Sequence, residues 1–441
     1  MSRPEPGRLR LPKAPVVLED ELAGGVPVIS VRRRGVPLVE LRLVFAVDAE
    51  HVAKAAGPSV LAESILAGTD RHNREELAEA VERLGGRLGA SHYDDRFVLS
   101  ASVLAPNLRE ILELLAEVLT GASYPAAEVR ADRERLANET LIALSQPEVI
   151  ADEALGRRLY AGHPYAAGMP RPGTLRRVGG ETLRSLHPGL LEPAAARLVL
   201  VGDLDPRRVV SMASDVLAPW LATSSGGDRS LPPLPDVRPG PLELVGRTGS
   251  VQSNLRLGGR APTRSDPESP AATIANLIFG GMFASRLVEN LRERNGYTYS
   301  PRSSIRHGRA GSSLVVTADV GKEVTAASLV EVRYELGRLA VGGVTDAELD
   351  SARRYAIGTF VFLTATQSGL ADTLAALLLG GVGPGYLATY PKAIAKTAKA
   401  DVEAAGRRYL APAELVTVVV GDAEVVARSL SMIDTVTVKS T

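Results

Sequence analysis

Six histidines, at positions 51, 72, 92, 163, 187 and 307, are the side chains best suited to hold a transition metal in this sequence, yet their spacing works against it. No two stand at i, i+4, where one helix face would present both imidazoles to a single ion. Each therefore reads as an isolated surface or locally hydrogen-bonded ring. The absence of cysteine removes disulfide frameworks, thiolate metal sites and cysteine nucleophiles together. A different chemistry is on offer between Phe279 and Ser300, in FGGMFASRLVENLRERNGYTYS. There Arg292 and Tyr299 supply a guanidinium and a phenol O–H, both hydrogen-bond donors suited to a negatively charged oxygen. Tyr297 offers the same phenol two residues earlier. Standing alone, such residues are a surface charge and a packed ring.

Donors of this kind need elements to aim them. Val39, Leu41, Leu43, Phe45 and Val47 alternate with Glu40, Arg42 and others, the period of a half-buried strand. Asn73 can cap NREELAEAVERLGG, whose Leu77, Val81 and Leu84 recur at helical spacing before Gly85-Gly86 stops the helix. Further helices are expected at about 107–120, 126–144, 270–293, 323–340, 346–363 and 398–410. Strands mixed with long helices, without regular βα alternation, favour an α+β fold.

The chain also repeats itself. EPAAARLVLVGDLD from Glu192 resembles APAELVTVVVGDAE from Ala411, with Pro193 and Pro412 each nine residues before Gly202 and Gly421. PAAEVRADRERL from Pro125 resembles TDAELDSARRYA from Thr345, displaced by 220 residues against 219 for the first pair. Two anchors agreeing within one residue imply two copies of one α+β unit. TSSGGDRSLPPLPDVRPG, residues 223–240, has almost nothing to bury and reads as the exposed linker between them. The expected division is 1–222, 223–240 and 241–441.

Composition fits this reading. A chain of 441 residues exceeds one comfortable core, and 45% apolar residues supply ample surface to bury. Lys+Arg and Asp+Glu each total 51, so no global field points to nucleic acid or an anionic membrane. MSRPEPGRLRLPKAP carries positive charge but no apolar region follows it, and no uninterrupted apolar run of about 18 residues is present. The expectation is a soluble, cytoplasmic protein.

Gly57 to Gly86, GPSVLAESILAGTDRHNREELAEAVERLGG, resembles the pitrilysin and insulinase type of zinc metallopeptidase, in which a helix carrying H-x-x-E-H is followed by Gly-Thr, a second helix and Gly-Gly. Counted back from Gly68-Thr69, the motif positions fall on Ser59, Ala62 and Glu63. Their spacing i, i+3, i+4 shares one helical face, as two zinc ligands and a general base require. Alanine is no base, and a serine hydroxyl is a poor ligand beside imidazole. The family's third ligand, a Glu preceded seven residues earlier by another acid, matches Glu139 and Asp132 in DRERLANE. Without imidazoles these two cannot hold zinc tightly, and Glu139 reads as a remnant.

The second half resembles the family's C-terminal signature, in which an Arg and a Tyr seven residues apart reach into the active site; Arg292 and Tyr299 match in type and spacing. The resemblance to the mitochondrial processing peptidases and their relatives implies two homologous α/β-roll domains. It further implies a non-catalytic subunit that gives Arg292 and Tyr299 to a zinc-bearing partner chain for cleaving peptides or leader peptides. Zn2+ is then expected in the partner and no cofactor in this chain. Family members place an edge strand where Gly86 to Leu104 lies, and such a strand can pair with an extended peptide. The alternatives are a silent structural scaffold and a module that binds peptides without cutting them.

Overall fold

The computed structural model describes residues 7, 10–224, 226, 227 and 229–440. Most of the positively charged N-terminal stretch, and Ser225 and Asp228 of the expected linker, lie outside the described residues.

The first half contributes β1 (Val17–Glu21), β2 (Pro27–Arg32), β3 (Leu38–Ala46), β4 (Arg87–Tyr93), β5 (Arg96–Leu104) and β6 (Ala196–Gly202) to one sheet, in the order β1-β2-β6-β3-β5-β4. The second half builds a sheet of matching order, β12-β7-β11-β8-β10-β9, from β7 (Leu242–Gly246), β8 (Gln252–Ala261), β9 (Arg302–Gly308), β10 (Gly311–Gly321), β11 (Val416–Gly421) and β12 (Val436–Ser440). The repeated Val-rich runs are β6 and β11, which insert parallel to β2 and β7 and antiparallel to β3 and β8. Each arrives after the two strands it joins and occupies the sheet centre, where a continuous β-branched run is buried on both faces. Only the outer strands differ: β1 runs antiparallel to β2, and β12 parallel to β7.

The helices that matter for function are, in the first half, α1 (Ala56–Ser64), α2 (Arg74–Arg83), α3 (Ala126–Ser145) and α4 (Pro147–Leu159). In the second half they are α5 (Ser269–Asn276), α6 (Asp346–Leu363), α7 (Gln367–Leu379) and α8 (Tyr386–Lys396). Asn73 does start α2 with a capping box, accepting from Glu76 N at 3.0 Å while Glu76 accepts from Asn73 N at 2.9 Å. The helix expected over 270–293 is interrupted. After α5 the chain winds into a wider turn over Leu277–Gly281 and restarts at Arg286 under a Ser285 cap. Gly280 passes so close to β9 that a Cβ there would lie 2.8 Å from Ser303 Oγ. The stretch Ser269–Arg294 is long and apolar enough to cross a membrane, but it is 78% buried inside the protein.

Each half lends a helix to the other. α7 packs on β3 and β6 of the first sheet, and α4 packs on β8 and β11 of the second. Leu370, Leu374 and Leu377 bury against Val31, Val44, Val199 and Val201, while Ala151, Leu155 and Leu159 bury against Val315, Val416 and Val418. A fully buried leucine is worth about 1.5–3 kcal/mol. The polar contacts repeat as well: Arg42 of β3 reaches Asp372 of α7 at 2.6 Å, and Arg256 of β8 reaches Asp152 of α4 at 2.7 Å. This exchange corrects the half-buried reading of β3. Val39 to Phe45 are all buried, Glu40 and Arg42 included, because α7 covers the face that alternation assigned to water.

The segment between the halves is also more than a tether. Arg229 is ion-paired with Asp48 at 2.7 Å and Glu192 at 3.1 Å, and the carbonyl of Pro232 meets His163 Nε2 at 2.9 Å. Leu231 and Val237 pack against the first core and the α4 cluster. Composition marked it as exposed because its few anchoring side chains are diluted among Ser, Gly and Pro. Nearby, the β9–β10 turn clasps the first half: Asp95 Oδ2 accepts from Arg309 N at 2.7 Å and from the Tyr165 hydroxyl at 2.5 Å.

Candidate functional site

Ser59, Ala62 and Glu63 sit on α1, and Glu139 and Asp132 on α3, which packs beside it. The structure brings these residues together, but around a side chain rather than a metal. Arg135, one turn before Glu139, donates to Glu63 Oε2 at 2.5 Å and to Glu139 Oε1 at 3.3 Å, and lies 3.6 Å from Asp132. Its hydrogen bond with Glu63, against some cost of burial, raises the Arg135 pKa further. Asp132 is in turn held by Arg74 at 2.6 Å and by the Ser64 hydroxyl at 3.0 Å. The guanidinium thus bridges the two carboxylates that a dication would otherwise draw together.

Ser59, one turn before Glu63 on the same helix, lies 3.2 Å from His92 Nδ1 on β4. Burial pushes His92 down to about 4, against the pull of Asp95, so its ring is neutral at pH 7. Its Nε2 is buried without a partner. One imidazole, a hydroxyl and two carboxylates already paired with a guanidinium do not make a tetrahedral zinc site. Among the described residues no group of three His, Cys, Asp or Glu side chains is placed to hold a metal ion. Sequence reading missed Arg135 and His92. The i, i+4 spacing of Arg135 and Glu139 was the available signal for the first; His92 comes from a strand 33 residues away and left none.

In the second half Arg292 and Tyr299 meet. The guanidinium carbon lies 4.4 Å from the Tyr299 ring centre and 5.0 Å from that of Phe283, a cation between two aromatic faces. Tyr299 is 77% exposed and Phe283 67%. Among the described residues the Tyr299 hydroxyl has no hydrogen-bond partner. Tyr297 takes no part in the stack; its amide donates to Leu291 O at 2.8 Å, closing the helix end.

The strand expected for peptide pairing is an edge. β4 has β5 as its one neighbour, in register from Arg87↔Ser102 to Tyr93↔Arg96, so its outer row of backbone donors and acceptors is unpaired within the sheet. Beside its C-terminal end opens a cavity between the halves, lined by His92, Asp94, Asp95, Asp152 and Arg306 among others.

Residues 54–173 match the family described as insulinase, peptidase family M16, and residues 177–355 match that described as the peptidase M16 inactive domain. An uncharacterized zinc protease of Mycobacterium leprae is 25% identical over 345 residues, 76% of each chain. The uncharacterized zinc protease YmxG of Bacillus subtilis is 22% identical over 68% of this chain and 73% of that one. Among solved structures, a peptidase M16 inactive domain from Pseudomonas fluorescens superposes with a TM-score of 0.84 at 23% identity, over 92% of this chain and 98% of that one. A protease from Helicobacter pylori gives a TM-score of 0.83 at 19% identity, over 92% and 100%.

Proposed function

Because the chain belongs to the insulinase, or M16, family of peptidases, we propose that it is the zinc-less, non-catalytic subunit of a two-chain peptidase, completing the site of a zinc-bearing partner with Arg292 and Tyr299. The observation that carries this reading is the contrast between two clusters. Arg135 is spent within the chain on Glu63 and Glu139, whereas the exposed Tyr299 phenol has no hydrogen-bond partner among the described residues, and the half-buried Arg292 beneath it is stacked on its ring and paired with the adjacent Glu293 at 3.2 Å.

In the assembled site Tyr299 O–H and the Arg292 guanidinium donate to the carbonyl oxygen as it becomes an oxyanion, or to the peptide backbone beside it. No step of hydrolysis runs through α1 of this chain. The unpaired edge of β4 favours an accompanying role in holding extended peptide by backbone hydrogen bonds, which tolerates many sequences. Exposed apolar residues at the ends of α3 and α6, Leu141 with Ile142 and Val361 with Phe362, lie at repeat-equivalent positions and offer surface for a partner.

The test is reconstitution. The chain is co-expressed with a homologue from the same host that carries an intact H-x-x-E-H, and each is also purified alone. Peptide hydrolysis is expected from the pair and not from this chain by itself. A zinc-bearing homologue that is fully active alone and gains nothing from this chain would refute the subunit role.

A further inference from the structure

A cavity of about 520 Å³ lies in the second half where α5, α6, α7, α8 and β9 converge. It contains Arg264, a largely buried arginine with no hydrogen-bond or ion-pair partner among the described residues. Asn276, 6% exposed, also lines it. Buried polar groups are nearly always satisfied, and each that is not asks for a reason. Here a lone cation faces an open space.

We propose that this cavity binds the free C-terminal carboxylate of an extended peptide, with Arg264 as its counter-ion. The proposal rests on the peptide-binding reading above and adds which end of the peptide is held. The chemistry around Arg264 narrows the ligand to a monoanion. Burial holds His307 down at about 4, with Arg264 adding to the effect, so it contributes no second charge. Arg96, close enough to act on Arg264, is already engaged with Asp95 at 3.4 Å and lies over Tyr93 at 4.4 Å. Asp372 also lines the cavity, but it is tied to Arg42 at 2.6 Å. A phosphate dianion would find one unpaired cation for its two charges among the described residues of the lining. An α-carboxylate carries one charge and meets a planar guanidinium that can bind it through paired N–H groups. The walls suit the terminal residue: Tyr386 and Tyr390 stack at 5.0 Å with a 20° tilt, and Leu277 and Ile305 add aliphatic surface.

The experiment is fluorescence anisotropy on the full chain with a pool of fluorescein-labelled decapeptides of randomised sequence, compared with the same pool amidated at the C-terminus. Wild type is expected to bind the free-acid pool about ten- to a hundredfold more tightly, the scale of a charge-assisted hydrogen-bonded pair. Arg264→Gln should erase that preference, and Arg264→Lys should restore part of it. Equal binding of both pools by wild type overturns the proposal while leaving peptide capture intact. Failure to bind either pool removes both readings. Displacement of the free-acid pool by inorganic phosphate as readily as by N-acetyl-leucine would mean a general anion site and overturn the assignment to a peptide terminus.

Discussion

The two halves of this chain share a sheet order, a crossover strand and a reciprocal helix exchange, yet they differ completely in what their helices present to solvent. In the first half, α1 and α3 bring Ser59, Glu63 and Glu139 into the arrangement of a metal site and close it with Arg135. In the second, Tyr299 remains exposed, with the half-buried Arg292 stacked on its ring. The difference shows that the core and the chemistry are held by separate residues. Val60, Leu61 and Ile65 pack against the sheet, so the opposite face of α1 is free to change without cost to the fold.

The sharpest way to break the comparison is to return the metal. Purified wild-type chain is expected to carry no tightly bound zinc. Ser59→His with Ala62→Glu and Glu63→His should still bind weakly, because Arg135 continues to hold Glu139. Adding Arg135→Ala should bring zinc to about one per chain, resistant to brief chelation, by metal analysis. Stoichiometric zinc in the wild type would dissolve the distinction between the halves.

The symmetry of the exchange can be tested by emptying each side. Leu374→Ala and Leu155→Ala each remove a buried leucine from a lent helix and should each cost about 2–5 kcal/mol in denaturant unfolding. Because each helix bridges the halves, both variants should retain one unfolding transition. Two separated transitions would show that the halves are energetically independent.

In the reconstituted pair, Tyr299→Phe should lower kcat about a hundred- to a thousandfold, roughly 2.7–4 kcal/mol, with assembly unchanged. Arg292→Ala should raise KM as well. Tyr297→Phe should be mild, since that ring lies outside the stack; a large effect there alone would move the role by two residues. The smallest expected effect is at the caps, where Asn73→Ala in the first half and Thr345→Ala in the second each lose a capping box and about 1 kcal/mol of stability.

Much of this was readable from short-range pattern. The Asn73 cap, the helices at 126–144 and 346–363, and the paired Val-rich runs all rest on spacing within about twenty residues, and the structure has them within a residue or two of the expected bounds. The positions of Arg292 and Tyr299 were likewise legible, because one helix and its closing turn set them. Burial of both faces of β3 was not legible, since the covering helix lies more than 300 residues further on and alternation records only one face. Arg135 escaped because its one signal, the i, i+4 spacing to Glu139, is common on amphipathic helices; only its neighbours make it a substitute for an ion. Arg264 escaped for the same reason, since the cavity it lines is built by elements that share no local pattern.

The lent helix α7 has a consequence for synthesis. Strands β1 to β6 are complete once the chain has been made to Gly202, but the helix that covers Val31, Val44, Val199 and Val201 begins at Gln367. At ~5–20 residues per second the ribosome needs roughly ten to thirty seconds to reach it. Throughout that interval the nascent first sheet carries a bare strip of valine and isoleucine, a surface that chaperones recognise and that promotes aggregation. A chain released before residue 379 would keep it permanently, so an early stop codon yields a sticky fragment and not half a protein.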